Sequence, residues 1–253
     1  PINLTAWATQ PGTHGSQGKR FAGLYLRKSF SPSVSIDTLW MRKQKLSNQS
    51  DRHTLGGAAR LKSSTFNVDA EGSYQFGKQT DRSIAAWGGS LQAQWQARRY
   101  RYQPRLGIEL NLASGDSDHT DQTDQTFDSL YGSRHQYWGH LDLIGGRNAM
   151  DIHLWAGATL AKTKLSIHGH LLSLQSNADD FYLSNGAGRA LDSSQANGSD
   201  IGTEIDMVAT KTYRRFGVEL GLSIFLPGTI GKISDLGDEP IVGGYLQLKS
   251  RFN

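Results

Sequence analysis

In the stretch from Arg215 to Leu226, RFGVELGLSIFL, six apolar residues (Phe216, Val218, Leu220, Leu222, Ile224 and Leu226) alternate with Arg215, Gly217, Glu219, Gly221, Ser223 and Phe225. A period of two sustained over this length dictates a β-strand with one apolar face and one mostly polar face. At about 3.3 Å per residue, such a strand is long enough, when tilted, to cross a roughly 30 Å hydrocarbon core.

The alternation recurs along the chain. It predicts strands over Ile2–Thr9, Phe21–Phe30, Val34–Lys43, Thr54–Lys62, Phe66–Phe76, Ile84–Gln96, Arg105–Ala113, Met150–Leu160, Leu165–Leu171, Thr203–Tyr213 and Ile241–Phe252, with Leu39 and Met41 blurring the polar face of the third. With the opening stretch this makes about twelve strands, and no helix is expected. Loops after odd-numbered strands read as long or polar (Gln10–Arg20, Gln44–His53, Gly77–Ser83, Ser114–Asn148, Leu174–Asp200, Pro227–Pro240), and those after even-numbered strands as short turns. In an up-and-down meander this parity puts every long loop on one rim, the asymmetry of a transmembrane β-barrel. A soluble sandwich or lipocalin-like barrel also alternates, but fills its interior with apolar side chains. The expected fold is therefore all-β: one antiparallel transmembrane barrel domain over residues 1–253.

Composition agrees. A hydrophobic fraction of 37% and the lack of any long apolar run exclude a transmembrane helix but suit a barrel, whose strands need only one apolar face. The chain has no cysteine and thus no disulfide or thiolate metal site. A formal charge of +4, without a basic block interleaved with aromatics, argues against nucleic-acid binding. The chain opens at Pro1 in mid-pattern, from which a removed leader or a longer parent protein is expected.

The second face supplies the candidate pore lining: Arg27, Arg60, Lys62, Arg105, Lys249 and Arg251 against Asp69, Glu71, Asp151, Glu109, Glu204, Asp206 and Glu219, with Lys43, Lys164 and Asp37 on the same phase. The signs balance, so transverse ion pairs across a charged lumen are expected, without polyanion selectivity following from charge alone. His153, His168 and His170 fall on inward positions of adjacent strands beside Ser166. Catalysis would need a base in reach of a nucleophile and a third group to orient it; polar lining is the simpler reading. Asp116, Asp118, Asp121 and Asp124 offer oxygens for Ca²⁺ but lack EF-hand spacing. No catalytic residue and no cofactor is expected. Trp40, Trp87, Trp95 and Tyr213 point outward, where interfacial aromatic girdles lie.

One further pattern is specific. Thr126-Phe127-Asp128 with Leu130-Tyr131, then His135, Gly139, Asp142 and Arg147-Asn148, resembles the core signature of the bacterial alginate-export family of outer-membrane porins. Asp180, Tyr182, Arg189, the run Gly202 to Asp206, and Phe225-Leu226-Pro227-Gly228 fit the same family, so the likeness covers residues 113–228. The resemblance implies an outer-membrane channel, which in the type member exports the anionic polysaccharide alginate through an eighteen-stranded barrel. With about twelve strands here, a fragment of a larger barrel is expected. The implied partners are outer-membrane lipid, a polar or anionic polysaccharide or small solutes, and periplasmic export machinery. The two longest loops are expected to narrow the extracellular mouth. The alternatives are a barrel hydrolase acting on lipids, with Ser166 as the residue to test, and a soluble ligand-binding β-protein.

Overall fold

The computed structural model describes residues 2–9, 18–47, 49–130, 137–186, 188–189, 198–234 and 236–250, the side chain of Arg189 excepted. Its elements are β1 (Ile2–Thr9), β2 (Lys19–Ser31), β3 (Val34–Lys45), β4 (Ser50–Lys62), β5 (Phe66–Gln79), β6 (Arg82–Gln96), β7 (Arg105–Ala113), β8 (Thr123–Asp124), β9 (Ala149–Leu160), β10 (Thr163–Ser173), β11 (Phe181–Tyr182), β12 (Gly188–Arg189), β13 (Asp200–Tyr213), β14 (Phe216–Pro227), α1 (Thr229–Ile233) and β15 (Ile241–Ser250). The twelve long strands form one meander in the order β1-β2-β3-β4-β5-β6-β7-β9-β10-β13-β14-β15. All its neighbours are antiparallel, and only β8 lies parallel, beside β6. The sheet is not closed, and β1 and β15 are its edges.

Register converts the alternation into two surfaces. On one, Leu106, Ala156, Ile167, Met207 and Leu222 stand in a row across five strands. Such residues are largely exposed; Ile167 is at 51% and Met207 at 54%. Monomers in water rarely expose more than a few hundred Å² of contiguous apolar surface, and an apolar belt of this kind has the form of a transmembrane barrel's outer band. Aromatics flank it. Trp87 pairs with Tyr74 toward one end of β6 and Trp95 with Phe66 at the other. Their separation is about 26 Å along the strand, or about 20 Å of height after tilt, close to the roughly 25 Å band of such barrels.

The opposite surface carries a polar row on neighbouring strands: Arg60, Asp69, Gln92, Glu109, His153, His170 and Glu204. This face is concave, with a cavity on it, and the described residues 125–130 and 137–148 lie against it and touch strands from β3 to β15. Lys43 of β3 meets Asp128, Gly88 of β6 faces the Phe127 ring, and Gly243 of β15 faces Leu141.

Three expectations are corrected. The expected loops Gln44–His53 and Gly77–Ser83 shrink to residues 46–49 and 80–81, since polar residues continue the ladders of β3 to β6. Residues 97–104, on the other rim, are longer than either, so the division of lengths holds in the main and not at every connection. There is also a helix, α1, whose single turn packs Ile230 into a small core. It escapes a periodicity test because five residues are too few to show one.

Candidate functional site

The described parts of the two longest connections are no solvated fringe. Their residues and the strand ends around them build a hydrophobic core of Ala113, Trp138, Ile144, Ala149, Leu172, Leu174, Phe181, Ile201, Phe225 and Ile230. Asn148, fully buried, fastens one loop to the other: its Nδ2 donates to the carbonyls of Ser176 at 2.8 Å and Asp180 at 3.0 Å, and its Oδ1 accepts from Ser176 N at 2.7 Å. Asp179, also buried, accepts from Asp116 N at 2.8 Å, Thr126 Oγ1 at 2.7 Å and Tyr182 Oη at 3.0 Å. The described parts of the two loops thus form a single body, a plug packed against one end of the concave face.

Wall residues hold that body by charge and hydrogen bonds. Lys43 Nζ donates to Asp128 at 2.7 Å. Arg52 reaches Asp124 at 2.9 Å and the Thr126 carbonyl at 3.1 Å. Gln75 donates to the Asp128 carbonyl at 2.7 Å and accepts from its N–H at 2.9 Å. Arg82 pairs with Asp116 at 2.6 Å. Asn111 donates to the Tyr137 carbonyl at 2.9 Å, and Leu141 N donates to Glu204 Oε1 at 2.9 Å. Arg52, Gln75 and Asn111 are buried, and each such group needs its partner because a buried polar atom left unsatisfied costs about 1–3 kcal/mol. Burial by itself would push the Asp128 carboxyl up. The Lys43 ammonium and the Arg147 guanidinium, 3.3 Å away, more than offset this and hold it down at about 2.

The wall's own charges pair as expected on one side. Asp37 accepts from Arg27 at 2.8 Å, from Tyr25 Oη at 2.7 Å and from Arg60, which also reaches Asp69 at 3.4 Å. On the other side histidines take the place of cations: His153 Nδ1 lies 3.3 Å from Glu109, and His170 Nδ1 2.8 Å from Asp151 and Nε2 3.6 Å from Asp206. Glu219 meets Tyr245 Oη at 3.1 Å, Thr210 Oγ1 at 3.2 Å and, more loosely, exposed Lys249 at 4.0 Å. The Tyr137 hydroxyl is pushed up by burial and by Glu71. Lys62 is exposed near the short-turn rim, Arg105 lines a polar cavity of about 560 Å³, and Arg251 lies outside the described residues.

The described residues of the first signature block, Thr126 to Asn148, fall on the plug. Phe127 seats its ring on Gly88, Asp128 and Arg147 form the anchor pair, Asn148 is the staple, and Gly139, at φ +91°, lies where a Cβ would meet the Glu204 carboxyl. Asp142 sits at φ +52° in the same segment, His135 lies outside the described residues, and Arg189 is in β12. The four aspartates read as a Ca²⁺ candidate have protein partners of their own. Asp116 and Asp124 are engaged by arginines, and Asp118 and Asp121 cap their own loop at Thr120 N (2.9 Å) and Thr123 N (2.6 Å). Among the described residues no three acidic, histidine or cysteine side chains converge on a metal position.

Arg52, Gln75, Arg82 and Asn111 were not singled out from sequence. Arg52 shares the phase of Arg60 and Asn111 that of Glu109, so carrying the alternation outward would have found them. Leu39 and Met41, which blurred a polar face, line a cavity of about 390 Å³ with Phe127, Leu130 and Trp138 of the plug. Phe225, on the other face of β14 from its leucines, is buried in the plug's core.

A family model described as Alginate export matches residues 14–233, wider than the likeness seen by motif and reaching back into the first strands. No curated protein matches the chain.

Proposed function

The chain belongs to the alginate export family, and from that premise we propose that it is an outer-membrane channel that passes a polar polysaccharide through a lumen narrowed by its own loops. The observation that carries the reading is the pairing of two surfaces on one sheet. An apolar belt bounded by aromatics suits lipid, and a charged concave face suits water and a polar cargo. The plug supports selection over free flow: its core is apolar, its anchors include ion pairs, and it occupies one end of the concavity. Residues 1–253 then belong to one barrel domain, whose wall they form from β1 to β15. The chemistry of transport is positional, since a ladder of alternating charge lets a polyhydroxylated chain exchange hydrogen bonds from one group to the next. Arg60 and Arg105, on the wall of the cavity of about 560 Å³, would meet carboxylates of an anionic cargo.

Purified protein inserted into planar bilayers tests this by its conductance and by its reversal potential across a salt gradient. Conductance with an anion preference is expected. A folded sample that never conducts, even after the plug's anchors are removed, would refute the channel; cation selectivity would refute an anionic cargo.

A further inference from the structure

On the concave face, four side chains from three adjacent strands form one hydrogen-bonded file. Glu109 Oε2 of β7 lies 3.3 Å from His153 Nδ1 of β9, His153 Nε2 lies 3.0 Å from His168 Nδ1 of β10, and His168 Nε2 lies 2.9 Å from Ser166 Oγ. The carboxylate sets the direction of the file. It can only accept, so a neutral His153 donates from Nδ1 and accepts at Nε2. His168 then donates from Nδ1 and accepts at Nε2, and the one remaining donor is the Ser166 hydroxyl. Every ring nitrogen is used once, and the serine proton is already aimed at a base. This is the arrangement of nucleophile, base and orienting groups required for acyl transfer.

A positive group stands beside the nucleophile. Arg105, Gly157 and Ser166 occupy one cross-strand row. Glycine leaves that row open: the position of a Cβ on Gly157 would lie 3.2 Å from Arg105 Nη2 and 3.4 Å from Ser166 Cβ. Arg105 Nη2 stands at that open position and the guanidinium lines the same cavity as Ser166, so it can donate to an oxyanion there. Ser166, His153, His168 and Arg105 all line the same cavity of about 560 Å³, a volume suited to a small ligand. Trp155 stacks on His168 with ring centroids 6.0 Å apart and forms part of the wall.

We propose that this chain is also a serine esterase, with Ser166 as nucleophile, His168 as general base and Arg105 as oxyanion donor, acting on short-chain carboxylic esters of a polar alcohol. His153 and Glu109 are positioning residues. Ser166 Oγ attacks the ester carbonyl carbon as its proton passes to His168 Nε2. Collapse of the oxyanion breaks the C–O bond to the alcohol, which leaves with that proton. Water then attacks acyl-Ser166, giving a proton to His168; collapse releases the carboxylic acid and returns the proton to Ser166 Oγ. Water is the sole co-reactant. Lipids are not the substrate, because Ser166 lies on the concave face while its neighbours Leu165 and Ile167 face the apolar belt.

The test uses the folded chain in detergent micelles, with folding checked by heat-dependent gel migration, and two probes: p-nitrophenyl acetate and a fluorophosphonate. Hydrolysis and a phosphonyl adduct mapped by mass spectrometry to Ser166 are expected. Both should vanish in Ser166→Ala, and hydrolysis should fall by at least about 100-fold in His168→Phe. Glu109→Gln should displace the pH profile, which a purely structural role would leave in place. Wild type no faster than Ser166→Ala, or an adduct elsewhere, overturns the proposal. Conductance of the same sample is read separately, so an inert channel refutes the esterase alone and a hydrolysing non-conductor refutes the channel alone.

Discussion

Replacing Asp128 by Asn should loosen the plug, and the structure sets the size of the effect. The carboxylate lies 2.7 Å from Lys43 Nζ and 3.3 Å from Arg147, and accepts from Leu130 N at 2.9 Å, with both members of the lysine pair nearly buried. Its fall from 3.8 to about 2 corresponds to about 2 kcal/mol in favour of the ionised, plugged state. Asparagine keeps the shape and the acceptor for Leu130 but leaves the Lys43 ammonium facing a neutral group. A loss of about 2 kcal/mol shifts the seated-to-released equilibrium by roughly 30-fold. Because the folded carboxyl is depressed, its contribution is fully present above the ordinary carboxylate range and fades as pH falls through about 2. Wild type taken to that pH should therefore approach the mutant. The assays are mean conductance in planar bilayers and protease susceptibility of the segment before β9, and both should rise. Unchanged conductance together with unchanged protection in Asp128→Asn would refute the ion pair as the plug's latch.

The other predictions use different contacts. Gly139→Ala forces a Cβ into the Glu204 carboxyl at φ +91°, so the loop should lift at a cost of about 1–2 kcal/mol, seen as faster hydrogen exchange at Leu141 N. Asn148→Ala strands three part-buried backbone partners and should unfasten the loops by about 1–3 kcal/mol, measured by exchange protection in residues 176–182. Leu154→Arg, on the apolar belt, should destabilise the bilayer-inserted protein by about 2–4 kcal/mol in denaturant titration. Gln92→Arg, on the concave face, should leave that stability nearly unchanged.

Much of the sheet was legible because a strand writes its two environments into alternate residues. That is why Leu106, Ile167 and Met207 face outward as read, and why Glu109, His153 and Glu204 share the other face. The strand ends were less legible: Arg52 and Arg82 sit in polar runs that look like loops until their partners, Asp124 and Asp116, are folded back on them. The helix at Thr229–Ile233 was missed, being shorter than any period it could display. The aspartates of the first long loop suggested a cation by composition, whereas arginines from the wall supply the positive charge.

The sequence by itself determined the class of fold, the two faces of the sheet and the family. These depend on local phase and on motifs, both carried by residues close together in the chain. The tertiary structure alone decided that the long loops pack as one plug, that Lys43 meets Asp128 across 85 residues, and that Glu109, His153, His168 and Ser166 fall into one hydrogen-bonded file. Those facts depend on inter-strand register and on loops returning to the concave face. Neither leaves a periodic trace, because a contact between distant residues constrains the pair and not the pattern around either of them.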